Sequence, residues 1–167
     1  MARLLVVHHS PTRSLRTLTE SVVAGTRDEA IEDVEVVVRP ALEATAEDVL
    51  AADGYVLGTS ANFGYMSGAL KHFFDSTFLQ VGGALDASGG VSTGSTNEGG
   101  ATKGRPFGLY VHGRYDTTGA TRSVLSITGA LGWRQAYDVL EVLGDVGDAE
   151  RERAYELGAT IAAVVAG

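Results

Sequence analysis

Apolar positions along this chain alternate between two rhythms. Short runs of aliphatic and β-branched residues mark buried strands, and stretches with apolar residues three and four apart mark helices. Leu4–Val7 is the first short run and predicts a central strand covered on both faces. After the turn HHSPTRS, Leu15, Leu18, Val22 and Val23 predict a helix, with Thr12 or Ser14 as its cap. Val34–Val38 predicts a second strand that stops at Pro40. Thr45 then caps a short helix over Ala46–Ala52. A third strand, Gly54–Leu57, is expected to end at Gly58, and a helix over Gly68–Phe78 puts Leu70, Phe73, Phe74 and Thr77 on one face.

From Gly82 to Gly104 the rhythm stops. This stretch is mostly Gly, Ser, Thr and Ala and reads as an inserted mobile loop. Phe107–Val111 predicts a fourth strand, followed by a helix carrying Ala120, Val124, Ile127 and Leu131. Arg134–Val142 predicts a fifth strand, and Asp148 is expected to cap a last helix with Ala154, Leu157, Ile161 and Val164 on its apolar stripe. Five βα units in series predict an α/β fold: a doubly wound, five-stranded parallel sheet in the order 2-1-3-4-5, with helices on both faces. No second domain and no repeat is legible, so residues 1–167 read as a single domain.

Composition narrows the function. A length of 167 residues with 44% apolar content supports one hydrophobic core. The net charge of −8 argues against nucleic acid as a partner, and suits either simple solubility or a basic redox partner protein. There is no cysteine, hence no disulfide, thiolate metal site or cysteine nucleophile. No apolar run is long enough to span a membrane. The N-terminus lacks a signal-peptide pattern, which makes the cytoplasm the expected location. His8 and His9 are adjacent and point to opposite faces, and His72 has no spaced partner, so no metal site is expected.

In a sheet of this order, ligands bind beyond the strand C-termini where the strand order reverses. Three loops of unusual composition lie there: Ser10–Leu15, Thr59–Gly68 and His112–Gly119. The first offers three hydroxyls, on Ser10, Thr12 and Ser14, before a helix start whose free N–H groups favour an anion. Capping needs one hydroxyl, so the surplus favours a phosphate monoester, and Arg13 either adds a charge-assisted bond or faces water. The second loop combines the Asn62 amide, Gly64 and Gly68 with Phe63, Tyr65 and Met66. That mix suits a flat heteroaromatic ring with a polar edge, or else a turn whose aromatics plug the core. In the third, Asp116, Thr117 or Thr118 can cap the next helix, Tyr115 can stack on a ring, and His112 reads more readily as structural than as chemical. The patterns G-x-G-x-x-G, G-x-x-x-x-G-K-[ST] and G-x-S-x-G are all missing from the expected places.

The segment GTSANFGYMSGALKHFFD, Gly58–Asp75, closely resembles the flavin-ring loop and following helix of the flavodoxin and NAD(P)H-dependent FMN reductase superfamily, most of all its actinobacterial members. GRPFGLYVHGRYDTTGA, Gly104–Ala120, resembles the fourth strand and second flavin loop, and HSPTRS resembles a variant phosphate loop with Arg13 and Ser14 where the usual T-G-N-T carries Gly and Asn. The resemblance implies a flavodoxin-like fold and FMN as cofactor. It places Ser10, Thr12, Arg13, Ser14 and Leu15 at the FMN phosphate. Thr59, Ser60, Ala61, Asn62, Phe63, Gly64 and Tyr65 would line the ring, and His112, Gly113, Arg114, Tyr115, Asp116 and Thr117 would close the far side. It further implies an oxidoreductase that takes electrons from NAD(P)H to flavin or a quinone-like small-molecule acceptor, or alternatively a flavodoxin-type one-electron carrier. No catalytic side chain is required, because the flavin performs the redox step. A homo-oligomer is compatible with the resemblance.

Overall fold

The structure is a computed structural model that describes residues 1–82 and 100–167. The core of the expected 82–104 insertion, residues 83–99, therefore lies outside the described residues. The chain runs β1 (Ala2–His8), α1 (Arg13–Thr26), β2 (Val34–Pro40), α2 (Ala46–Ala51), β3 (Gly54–Asn62), β4 (Tyr65–Met66) and α3 (Gly68–Gly82). After a 3-10 turn at Gly100–Thr102 come β5 (Pro106–Gly113), α4 (Thr118–Ala130), β6 (Arg134–Gln135), β7 (Leu140–Leu143) and α5 (Asp148–Ala166). The parallel strands take the order β2-β1-β3-β5, with β6 and β7 both on the outer edge of β5, which is the expected doubly wound arrangement.

Side-chain alternation along the strands splits the interior in two. Leu5, Val7, Tyr55, Leu57, Phe107, Leu109 and Val111 point to the face covered by α2, α3 and α4. Leu4, Val6, Val56 and Tyr110 point to the opposite face, covered by α1 and α5 through Leu15, Leu18, Val22, Ala154, Leu157 and Ile161. Thr12 caps α1, its Oγ1 accepting the Leu15 N–H, and Thr45 with Asp48 forms a reciprocal capping box on α2.

Four features differ from the sequence expectation. Strand β3 does not end at Gly58 but runs on to Asn62. Gly58 is a socket, where a Cβ would stand 2.6 Å from Cε1 of Tyr110. The single fifth strand is two short ones, because residues 136–139 bulge past only Gly108 and Leu109 of β5. Asp148 is not the cap of α5: Gly147 holds that position, and Glu150 reaches back to accept its N–H at 2.9 Å. On the stripe of α5, Val164 is exposed, and Gly158 and Ala162 are buried instead.

Gly158 explains how closely α5 approaches α1. A Cβ on it would overlap the Val22 carbonyl oxygen and stand 2.9 Å from that carbonyl carbon, while one on Gly25 would stand 2.8 Å from the Tyr155 carbonyl carbon. The two helices touch backbone to backbone. Alanine would normally stabilise a helix by about 1 kcal/mol over glycine. At Gly158 the sign reverses: Gly158→Ala is expected to lower the unfolding free energy by about 1–3 kcal/mol through overpacking, read from the midpoint of urea unfolding.

Candidate functional site

Strands β1 and β3 are neighbours in the sheet, yet α1 leaves on one face and α3 on the other. The loops after these strands diverge and open a cleft, which the β5–α4 loop closes from the third side. The cleft has a volume of about 570 Å³, and its lining draws on all three loops anticipated from the sequence. From the first loop it takes Thr12 and Leu15, from the second Ser60, Ala61, Asn62, Phe63 and Gly64, and from the third His112, Gly113, Arg114, Tyr115 and Asp116.

The second loop is a tight hairpin rather than an irregular turn. Ala61 pairs with Met66 and Asn62 with Tyr65 in antiparallel register, and Phe63 (φ 52°) and Gly64 (φ 74°) make the corner. Positive φ at both central residues is what a type I′ hairpin demands. Glycine meets that demand easily, whereas for a bulky aromatic it is strained. The turn projects the Phe63 ring wholly into solvent, and Tyr115 of the third loop is 92% exposed. Two bare aromatic rings, from two different loops, thus line one cleft.

On the floor, Ser60 and His112 are ladder partners of β3 and β5. His112 is buried and donates its Nε2–H to the Gly144 carbonyl at 2.6 Å, a bond that ties β5 to the loop after β7. Ser60 is buried as well, and its Oγ has no hydrogen-bond partner among the described residues. A buried hydroxyl without a partner is uncommon and calls for a ligand or solvent atom. At the rim, Asp116 accepts the Thr118 N–H at 2.9 Å, and the Thr118 backbone and hydroxyl hold its carboxyl below the usual carboxylate range. Thr117 occupies the N-cap position of α4 without making a side-chain cap.

Six anticipated residues do not line the cleft: Ser10, Arg13, Ser14, Thr59, Tyr65 and Thr117. Arg13 and Ser14 open the first turn of α1 beside Thr12, where the helix presents unpaired N–H groups. The Thr59 hydroxyl is turned inward, accepting the Ser67 N–H at 3.0 Å and donating to the Ser60 carbonyl. Tyr65 faces a second groove of about 590 Å³ between α3 and α4, which it lines with Lys71, Phe74, Phe78 and Arg122. No sequence signal separated Tyr65 from Phe63, because only the hairpin register sends them to different sides.

Ser10 belongs to a buried polar chain that the sequence did not reveal. Its Oγ lies 2.8 Å from His8 Nδ1 and 2.7 Å from Thr19 Oγ1, which in turn lies 2.6 Å from the Tyr110 hydroxyl. Tyr110 is fully buried, and burial pushes its phenol upward against the opposing Thr19 bond, so it stays protonated. Among the described residues Thr19 is the one partner of its hydroxyl, so the phenol satisfies its proton there. Thr19 then donates to Ser10, and Ser10 to the His8 Nδ1 lone pair, which requires a neutral imidazole. Burial first, and then the neighbouring His9, hold His8 below its usual 6.5.

A family model described as NADPH-dependent FMN reductase matches residues 14–142. A flavodoxin from Aquifex aeolicus (strain VF5) is 36% identical over 86 residues, which is 52% of this chain and 45% of that protein. Among solved structures, a flavodoxin from the domain Archaea superposes with a TM-score of 0.75 at 17% identity, covering 98% of each chain. A flavodoxin, WrbA-like protein from Agrobacterium tumefaciens reaches 0.72 at 17% identity, covering 99% of this chain and 98% of the other. At such identities the structural likeness speaks for the fold alone.

A histidine with a depressed folded pKa takes its proton more readily in the unfolded chain. Its contribution to stability is whole above pH 6.5 and drains away as pH falls below that value. The His8 ring resonances are therefore expected to titrate below 6.5 in an NMR pH series, and Tyr110→Phe should move that midpoint upward by freeing the chain to reverse.

Proposed function

Since the chain belongs to the NADPH-dependent FMN reductase family, we propose that the cleft at the strand switch holds FMN and that the protein moves electrons from NAD(P)H through it to a flavin or quinone-like acceptor. The observation that carries this reading is one cleft lined by two exposed rings, Phe63 and Tyr115, and by Ser60, whose buried hydroxyl has no partner among the described residues. Two apolar surfaces and an unmet polar group in one cleft fit a flat ring with hydrogen-bonding edges. Covering a phenylalanine-sized side chain is worth about 1.5–3 kcal/mol, so a ring that covers both gains substantially.

The phosphate of FMN belongs at the start of α1. There the Arg13 and Ser14 N–H groups, the Arg13 guanidinium and the hydroxyls of Thr12 and Ser14 supply donors, and the helix dipole favours negative charge. Ser60, Ala61, Asn62, Phe63 and Gly64 form one wall of the ring site, and Gly113, Arg114, Tyr115 and Asp116 the other. Leu15 and His112 complete the cleft lining, and Ser10, Thr59 and Thr117 act from behind, by packing or by fixing the loops. Ser10 is not needed as a phosphate donor, because its hydroxyl is committed to His8 and Thr19. When bound, the flavin supplies the redox chemistry, and the polypeptide positions it and sets its potential. The ionised Asp116 adds negative charge at the cleft rim, which opposes any gain of negative charge on the ring.

A second reading, a one-electron carrier without turnover of its own, is favoured by the 36% identity to the Aquifex aeolicus flavodoxin. Anaerobic mixing of the FMN-loaded protein with NADPH separates the two. Rapid bleaching of the flavin absorbance is expected for the reductase. Bleaching by dithionite alone would favour the carrier, and a colourless protein that ignores added FMN would overturn both. Phe63→Ala and Tyr115→Ala are each expected to weaken FMN binding by about 1–3 kcal/mol, the scale of aromatic stacking, in a fluorescence titration. Both rings are solvent-exposed, so the melting temperature of the flavin-free protein should not move.

A further inference from the structure

The ring-contact hairpin holds a conformation that its own sequence does not favour. Phe63 sits at φ 52° as a bulky aromatic, and the hairpin has only two ladder pairs to hold it there. Backbone strain of this kind persists only where the surroundings over-determine it. What lies behind the hairpin is the first turn and a half of α4. A Cβ on Gly119 would overlap the Gly64 carbonyl oxygen, and it would stand 2.8 Å from the carbonyl carbon and 3.3 Å from the Cα of the same residue. The hairpin's corner therefore rests directly on the α4 backbone. One turn further on, Ser123 Oγ accepts the Met66 N–H at 3.3 Å and donates to the Ala120 carbonyl at 2.8 Å. The two contacts grip the hairpin at its tip and at its returning strand.

We propose that α4 is a ledge that sets the pose of the flavin-contacting hairpin, with Gly119 and Ser123 as its positioning residues. Neither lines the cleft. They act on the bound ring through Gly64 and Met66, and the inference rests on the reading that this cleft takes FMN. Gly119 is needed because any side chain would drive the corner of the hairpin off the helix. The overlap is with backbone, which cannot swing aside as the end of a flexible side chain can. The helix contains its own control: Gly129 lies in the same α4, and a Cβ there would meet nothing within 4 Å among the described residues.

The experiment compares Gly119→Ala with Gly129→Ala in three readouts: FMN affinity, the midpoint potential of the bound flavin, and hydrogen exchange of the Met66 amide in the flavin-free protein. G119A is expected to bind FMN at least about fivefold more weakly, to shift the potential, and to exchange Met66 faster. G129A should match the wild type in all three. A G119A protein with wild-type affinity, potential and Met66 exchange would overturn the ledge. If G119A does not fold, Ser123→Ala takes its place, with weaker binding and faster Met66 exchange expected and wild-type behaviour again overturning the proposal. Failure of the FMN reading shows separately, as a wild-type protein that takes up no flavin. The Met66 contrast is read without flavin, so it then decides the ledge alone.

Discussion

Everything at the functional end of this molecule follows from the placement of β1 inside the sheet. With β2 on one side of it and β3 on the other, the chain must leave β1 and β3 toward opposite faces. The loops at their C-terminal ends cannot pack on each other, and the space between them is a cleft that the main chain has no means of filling. Strand alternation reinforces this constraint. Residues of β1, β3 and β5 are apolar on both faces, so helices must cover both, and each helix starts at the same end of the sheet. The cleft is the result of a sheet that has to be wound both ways.

The groups around the cleft fall into two populations. Some are fully occupied: His112 on Gly144, Thr59 on Ser67, and Ser10 in the chain running from His8 to Tyr110. These bonds hold the loops in place from below, and they join the first loop to β5 through Thr19 on α1. The others are unmet or point outward: the Ser60 hydroxyl, the opening N–H groups of α1, and the Phe63 and Tyr115 rings. A site of this kind keeps its frame rigid and leaves its binding groups free, which lowers the cost of ordering on association.

The fold was legible because its signals are periodic and local. The apolar run Leu4–Val7, the stripe from Leu15 to Val22 and the Thr12 and Thr45 caps each carry their meaning within a few residues. The misreadings came where tertiary contact overrides a local rule. Gly58 reads as a breaker, but it accommodates Tyr110, which lies far along the chain. Asp148 reads as a cap, but Gly147 with Glu150 does that work. In the site, loop composition pointed to three segments that the fold brings to one cleft. It did not indicate which hydroxyls turn inward, because Ser10 and Ser60 look alike in sequence and differ only in whether a partner lies within reach. The support from α4 left no trace in composition, since Gly119 and Ser123 matter only through what stands behind them.

The backbone contact between α1 and α5 bears on how this protein is made. The stripe of Leu15, Leu18 and Val22 is covered by residues near the other end of the described chain, among them Leu157 and Ile161. During synthesis α1 can dock on the sheet early, but its seam with α5 stays open until α5 has cleared the ribosome. One half of the molecule can assemble as it emerges, with α2, α3 and α4 collecting on their side of the sheet. The other half closes only once α5 has emerged, in a late step that joins segments far apart in sequence.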